Sequence, residues 1–143
     1  MKLHISSETS RLRAVVLGTA KSIGPIPTLE EAYDPKSQEH IIAGTYPTEE
    51  DMVAEMDAVA AVLEKYDVQV FRPKIIEDYN QIFTRDIAFV IDDKFIKSNI
   101  LPDRGQEIEA IEHVIKQIDP GNIITLPEEA HIEGGDVMPM GDH

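Results

Sequence analysis

Cysteine is absent from all 143 residues. That excludes disulfides, thiolate metal sites and a cysteine nucleophile anywhere in the chain. No apolar run is long enough to span a bilayer, and the opening Met1-Lys2-Leu3-His4-Ile5-Ser6-Ser7-Glu8 lacks the apolar centre of a signal peptide. A cytoplasmic protein is expected. Positive charge is scarce: 13 Lys and Arg stand against 27 Asp and Glu, for a formal net charge of −14. Such a surface repels nucleic acid and anionic membranes, which are excluded as general partners. It suits a cationic small molecule, although solubility alone also accounts for an acidic surface. With 42% hydrophobic residues the chain can bury a core, and its length fits one ordinary domain.

Taken in order, residues 13–18 form a short apolar run stopped by Gly18, which reads as a buried strand. Residues 19–47 carry Pro25, Pro27, Pro35 and Pro47 and read as a long connection, with His40 solvated in it. Thr48 is placed to cap a helix whose first turn holds Glu49, Glu50 and Asp51. Met52, Met56, Val59, Leu63 and Tyr66 make its apolar stripe. Residues 68–71 read as a strand stopped by Pro73, and residues 87–97 as two strands joined at Asp92-Asp93. Asp103 and Gln106 have capping-box spacing ahead of a second helix. That helix carries Ile108, Ile111, Ile115 and Ile118 on one face, with His113 off it and exposed. Residues 122–126 read as a strand, and a last strand is expected from about Val137. The expected helices span roughly residues 48–66 and 104–118, both on one side of a mixed sheet.

Two stretches carry the chemistry. In Asn80-Gln81-Ile82-Phe83-Thr84-Arg85-Asp86 a charged pair stands directly before an apolar strand, where charge is costly unless paired or in use. Asp86 is thus a site carboxylate or half of an ion pair with Arg85. In Ile132-Glu133-Gly134-Gly135-Asp136-Val137 two acids flank two glycines, whose backbone freedom lets both carboxylates turn toward one point. Taken singly, the first also reads as a turn with a surface ion pair and the second as a plain loop. Histidines 4, 40, 113, 131 and 143 show no metal-ligand spacing. The set of His131, Glu133 and Asp136 alternates faces and does not close, so no metal and no cofactor is expected.

In this order the two stretches resemble the acidic motifs of the amidinotransferase and arginine deiminase superfamily, the pentein fold. Ser10-Arg11-Leu12-Arg13-Ala14-Val15-Val16-Leu17-Gly18 looks like that family's first strand. The resemblance spans nearly the whole chain but only about the first half of the family's pattern. It implies a partial pentein-type α/β propeller, about two ββαβ units plus the start of a third. Residues 1–143 would be the N-terminal part of one such domain, ending before the family's catalytic histidine and cysteine sections.

The resemblance further implies that Asp86 grips the guanidinium of an arginine-like substrate and that Phe83 lies against its plane. Asn80 would bind the substrate's polar end, Glu133 would grip the other side beside a catalytic histidine, and Asp136 would help at the edge. Arg85 reads as structural, holding the loop. His143 does not sit in the family's histidine motif. The chain alone is therefore expected to be inactive, a fragment of an arginine deiminase, dimethylargininase or amidinotransferase. The forms of the two motifs lean toward the hydrolases. The alternative is a non-catalytic binding protein that keeps part of the fold. A partial ring leaves strand edges uncovered, so self-association or a missing C-terminal half is expected to cover them.

Overall fold

The computed structural model describes residues 1–32 and 34–141, apart from the side chain of Asp103. The capping role read for Asp103, and His143, lie outside the described residues. Two small sheets form instead of one. Strand β1 (Ala14–Val16) pairs in parallel with β2 (Gln69–Phe71). The second sheet has the order β3 (Ala88–Ile91), β4 (Lys94–Lys97), β5 (Ile123–Thr125). Its first pair is an antiparallel hairpin and its second pair is parallel. The hairpin turns at Asp92-Asp93 as expected, with Asp92 at φ 51°, a conformation that aspartate tolerates better than most side chains.

Residues 19–47 are not one long loop: they contain α1 (Pro35–Ala43), ahead of α2 (Glu49–Lys65), which forms where it is expected. Helix α1 is bounded by local chemistry. Asp34 caps its first turn by accepting from the Lys36 and Ser37 N–H groups, Pro35 stands where no N–H is needed, and Gly44 closes it at φ 65°. Helix α2 begins at Thr48 with a full capping box to Asp51 and packs on β2. Met52, Met56 and Leu63 are half-buried as expected, but Val59 and Tyr66 are exposed. The three-residue β2 gives the helix only a narrow surface to cover. Arg72 pins this layer, donating to the Gly18 and Met56 carbonyls and pairing with Asp57 at 2.8 Å.

Four further expectations change. Residues 84–87 form a one-turn helix, α3 (Thr84–Ile87), rather than the mouth of a strand, so Arg85 and Asp86 sit on a helical turn. The second helix is broken into α4 (Gln106–Ala110) and α5 (Glu112–Ile115). The cause lies outside it: the Ala110 carbonyl accepts from the Lys74 N–H at 2.9 Å, and the Val114 N–H bonds to Ile111 instead. His113 is half-buried rather than exposed, with an Nδ1 that has no hydrogen-bond partner. Finally, among the described residues no strand follows Val137. Only an isolated bridge joins Met140 to Ser7.

The core lies between the three-stranded sheet and the broken helix, where Ile87, Phe95, Ile111, Ile115 and Ile118 are all buried together. Ile87 belongs to α3. Burying it fixes the helical turn that carries Asp86 onto the edge of the core.

Candidate functional site

The two acidic motifs meet. Helix α3 packs against the 3₁₀ turn Gly134–Asp136, which the Glu-Gly-Gly-Asp sequence forms. Asp86 therefore projects from a helical turn, and Glu133 from the extended residue just ahead of the 3₁₀ turn. The contact is so close that a Cβ at Gly134 would collide with the Arg85 carbonyl, and one at Gly135 would stand 2.9 Å from Asp86 Oδ1. At Gly134, where the obstacle is backbone, glycine is required by proximity rather than by an unusual φ. Arg85 ties the two motifs together. It donates from Nε to the Gly134 carbonyl at 2.8 Å and from Nη2 to the Val137 carbonyl at 2.6 Å, and pairs with Glu8 at 2.9 Å. It holds the loop as expected, but it is half exposed rather than buried, and its partner is not Asp86.

Asp86 pairs with Arg104, a residue the motif pattern does not point to. Arg104 Nη1 lies 3.1 Å from Asp86 Oδ2 and 3.7 Å from Glu133 Oε1. Both carboxylates thus reach one guanidinium nitrogen, inside the roughly 10 Å that two acids need to grip one guanidinium. The other side of Arg104 meets Glu107, which is only 2% exposed. Nε donates to Oε1 at 2.6 Å and Nη2 to Oε2 at 3.2 Å, a bidentate fork. Nη2 also points at the Phe83 carbonyl at 3.4 Å. The Glu107 hydrogen bonds hold the Arg104 pKa above its ordinary value against the opposing cost of burial, and Asp86 adds to the effect. The signal for this pair was the i, i+3 spacing of Arg104 and Glu107, which on any surface helix would mean little.

The remaining predicted residues are spread around this centre. Glu133 and Asp136 line a cleft of about 240 Å³ with Asn99, Leu101, Pro102 and His131. Phe83 is 57% exposed and opens on the other side, into a groove of about 620 Å³ between β1 and β3. Asn80 lies in a third hollow beside Pro25 and Tyr46, and its Oδ1 accepts from the Ile82 N–H at 3.1 Å. Among the described residues no group of three or more His, Asp and Glu is placed to hold a metal ion, and no helix is long and apolar enough to cross a membrane.

Several solved structures share this fold. SxtG, an amidinotransferase from Microseira wollei in the saxitoxin biosynthetic pathway, superposes with a TM-score of 0.69 at 17% identity, over 97% of this chain and 52% of its own. Inosamine-phosphate amidinotransferase from Streptomyces griseus gives 0.61 at 19%, over 89% and 43%. A variant of dimethylarginine dimethylaminohydrolase from Pseudomonas aeruginosa, complexed with citrulline, gives 0.60 at 15%, over 89% and 46%. The chain has the mixed α/β fold of the amidinotransferases and dimethylarginine dimethylaminohydrolases and spans about half the length of these structures. No protein-family model and no curated protein matches it.

Proposed function

We propose that this chain provides the acidic half of a guanidino-binding site in a guanidine-modifying enzyme of the amidinotransferase or dimethylargininase type. The observation that carries the reading is the convergence of Asp86 and Glu133 on one guanidinium nitrogen, that of Arg104. A pair of carboxylates so placed already performs, on an internal ligand, the recognition an arginine-like substrate needs. Asp86 and Glu133 grip the guanidinium and Asp136 lies at the edge of their cleft; Phe83 and Asn80, which the family resemblance puts on the same ligand, open here on two other hollows. In this reading the parent is a propeller of ββαβ units, of which this chain makes about two and the start of a third. The attacking cysteine comes from sequence other than these residues, because the chain contains no cysteine; by the family resemblance the histidine that moves protons comes with it.

The ligand binds beside Arg104 and not in its place. Expelling Arg104 would leave Glu107 buried and unpaired, at a cost of about 3–5 kcal/mol. That equals the whole of a millimolar affinity, about 4 kcal/mol. Asp86 Oδ1 and Glu133 Oε2 accept no hydrogen bond from a described residue and remain for the ligand. The absence of cysteine also favours a second reading, a non-catalytic protein that binds a cationic ligand or a second copy of itself.

The test is a titration of the folded chain with agmatine, following the Gly134 and Gly135 amide signals, repeated with Asp86→Ala. Weak saturable shifts that vanish in the variant are expected. Signals that stay put up to millimolar ligand, about the weakest useful range, would overturn the reading.

A further inference from the structure

We infer that Arg104 is a fixed positioning residue: anchored on Glu107, it sets the separation and orientation of Asp86 and Glu133 at which a second, ligand guanidinium is taken. The inference rests on the guanidino-binding reading above and assigns the part played there by a residue that neither acidic motif contains.

The argument begins with the fork. A guanidinium is planar, and two parallel N–H···O bonds to one carboxylate fix the plane as well as the position. Nε and Nη2 make those two bonds to Glu107, which sits in the first turn of α4 and is buried. Arg104 itself ends the 3₁₀ turn Pro102–Arg104 immediately before that helix, so both partners are held by adjoining backbone. Once the plane is set, Nη1 has one direction left. It points between Asp86 and Glu133, closer to Asp86 by the difference between 3.1 and 3.7 Å.

The charges around it explain why such a spacer is needed. Asp86, Glu107 and Glu133 surround a single cation, Asp136 and His131 line the neighbouring cleft, and Arg85 is turned away to Glu8 and two carbonyls. Without a bridge, Asp86 and Glu133 would repel and rotate apart. With it, Asp86 keeps one oxygen hydrogen-bonded to Nη1, Glu133 keeps one in ion-pair reach at 3.7 Å, and each leaves the other for a ligand. A lysine cannot substitute: its ammonium is a point charge that cannot fork onto Glu107 and still span both acids.

The test compares the intact chain with Arg104→Lys, measuring the thermal midpoint and the agmatine Kd from the Gly135 amide. The expected result is a split: the midpoint stays near that of the intact chain, while Kd weakens about tenfold, the scale of one lost charge-assisted hydrogen bond. A residue that only holds the fold together would move the two readouts in step. Tighter binding would mean that Arg104 competes with the ligand, and an unchanged Kd would mean it is a bystander. Either overturns the inference.

If Arg104→Lys does not fold, the double substitution Arg104→Met with Glu107→Leu removes both charges at once, so neither is left buried alone. The same loss of affinity is expected from it. If the intact chain binds no agmatine, the guanidino-binding reading fails by itself. The positioning role is then read from a crystal structure of the double variant at neutral pH. Asp86 and Glu133 carboxylates that have swung apart support it, and carboxylates that have not moved overturn it.

Discussion

Gly135 leaves the space that the Asp86 carboxylate occupies: a Cβ there would stand 2.9 Å from Oδ1, the free end of a side chain that can swing. At Gly134 the obstacle is the Arg85 backbone, with the Ala88 carbonyl a further 3.0 Å contact, and neither can move without shifting α3. The two glycines should therefore fail differently. Gly134→Ala is expected to destabilise the chain by about 1–3 kcal/mol, the usual cost of overpacking. Gly135→Ala is expected to keep the fold and weaken agmatine binding by turning Asp86. Denaturant unfolding and the amide titration, run on both variants, check the contrast.

Arg85 and Glu8 form an ion pair that is about half exposed on both sides. Glu8→Gln should therefore change stability by less than about 1 kcal/mol. Arg85→Met is expected to do more, because it frees the Gly134 and Val137 carbonyls that hold the second motif. Hydrogen exchange at the Asp136 and Val137 amides, which close the 3₁₀ turn, should quicken in the Arg85 variant and not in the Glu8 variant.

Acid should loosen the caps. Glu31, Asp34 and Asp51 titrate below their ordinary values because they accept hydrogen bonds from Thr28, from Ser37 and from Thr48 respectively; Glu112 is lowered by its bond to Lys116. A carboxylate whose pKa is lower folded than unfolded stabilises fully above the unfolded value and loses that contribution as pH falls through the folded one. The thermal midpoint should thus hold steady down to about pH 5 and fall below about pH 4, the range of unperturbed carboxylates. Removing the cap with Thr48→Ala should cost about 1 kcal/mol at neutral pH and flatten part of the acid decline.

The core prediction follows from burial. Ile111, 2% exposed, stands where the broken helix turns onto the sheet. Ile111→Ala should cost about 2–5 kcal/mol, and Ile87→Val only about 0.5–1.5 kcal/mol. Equilibrium denaturation of both variants measures the difference.

Much of the fold is legible along the chain because local chemistry enforces it. Thr48 with Asp51 sets the start of α2, Gly18 and Pro73 stop their strands, and Asp92-Asp93 turns the hairpin. Helix α1 was equally marked, by Asp34-Pro35 at its start and Gly44 at its end, but its two isoleucines, Ile41 and Ile42, stand side by side in its last turn and make no stripe. A reading that weights apolar periodicity passes over it. The break at Ile111 has no local mark at all, since its cause is the Lys74 N–H arriving from another element.

The site divides in the same way. The two acidic motifs, the pair of glycines between Glu133 and Asp136, and the lack of any cysteine are all read along the chain, because residue identity alone settles which chemistry is available. That Asp86 answers to Arg104 rather than to its neighbour Arg85, and that Glu107 is buried beneath it, comes from the packing. An ion pair depends on distance and on how much water is excluded around it. Both are set by how α3, α4 and the Gly134–Asp136 turn pack, and no spacing along the chain specifies that packing.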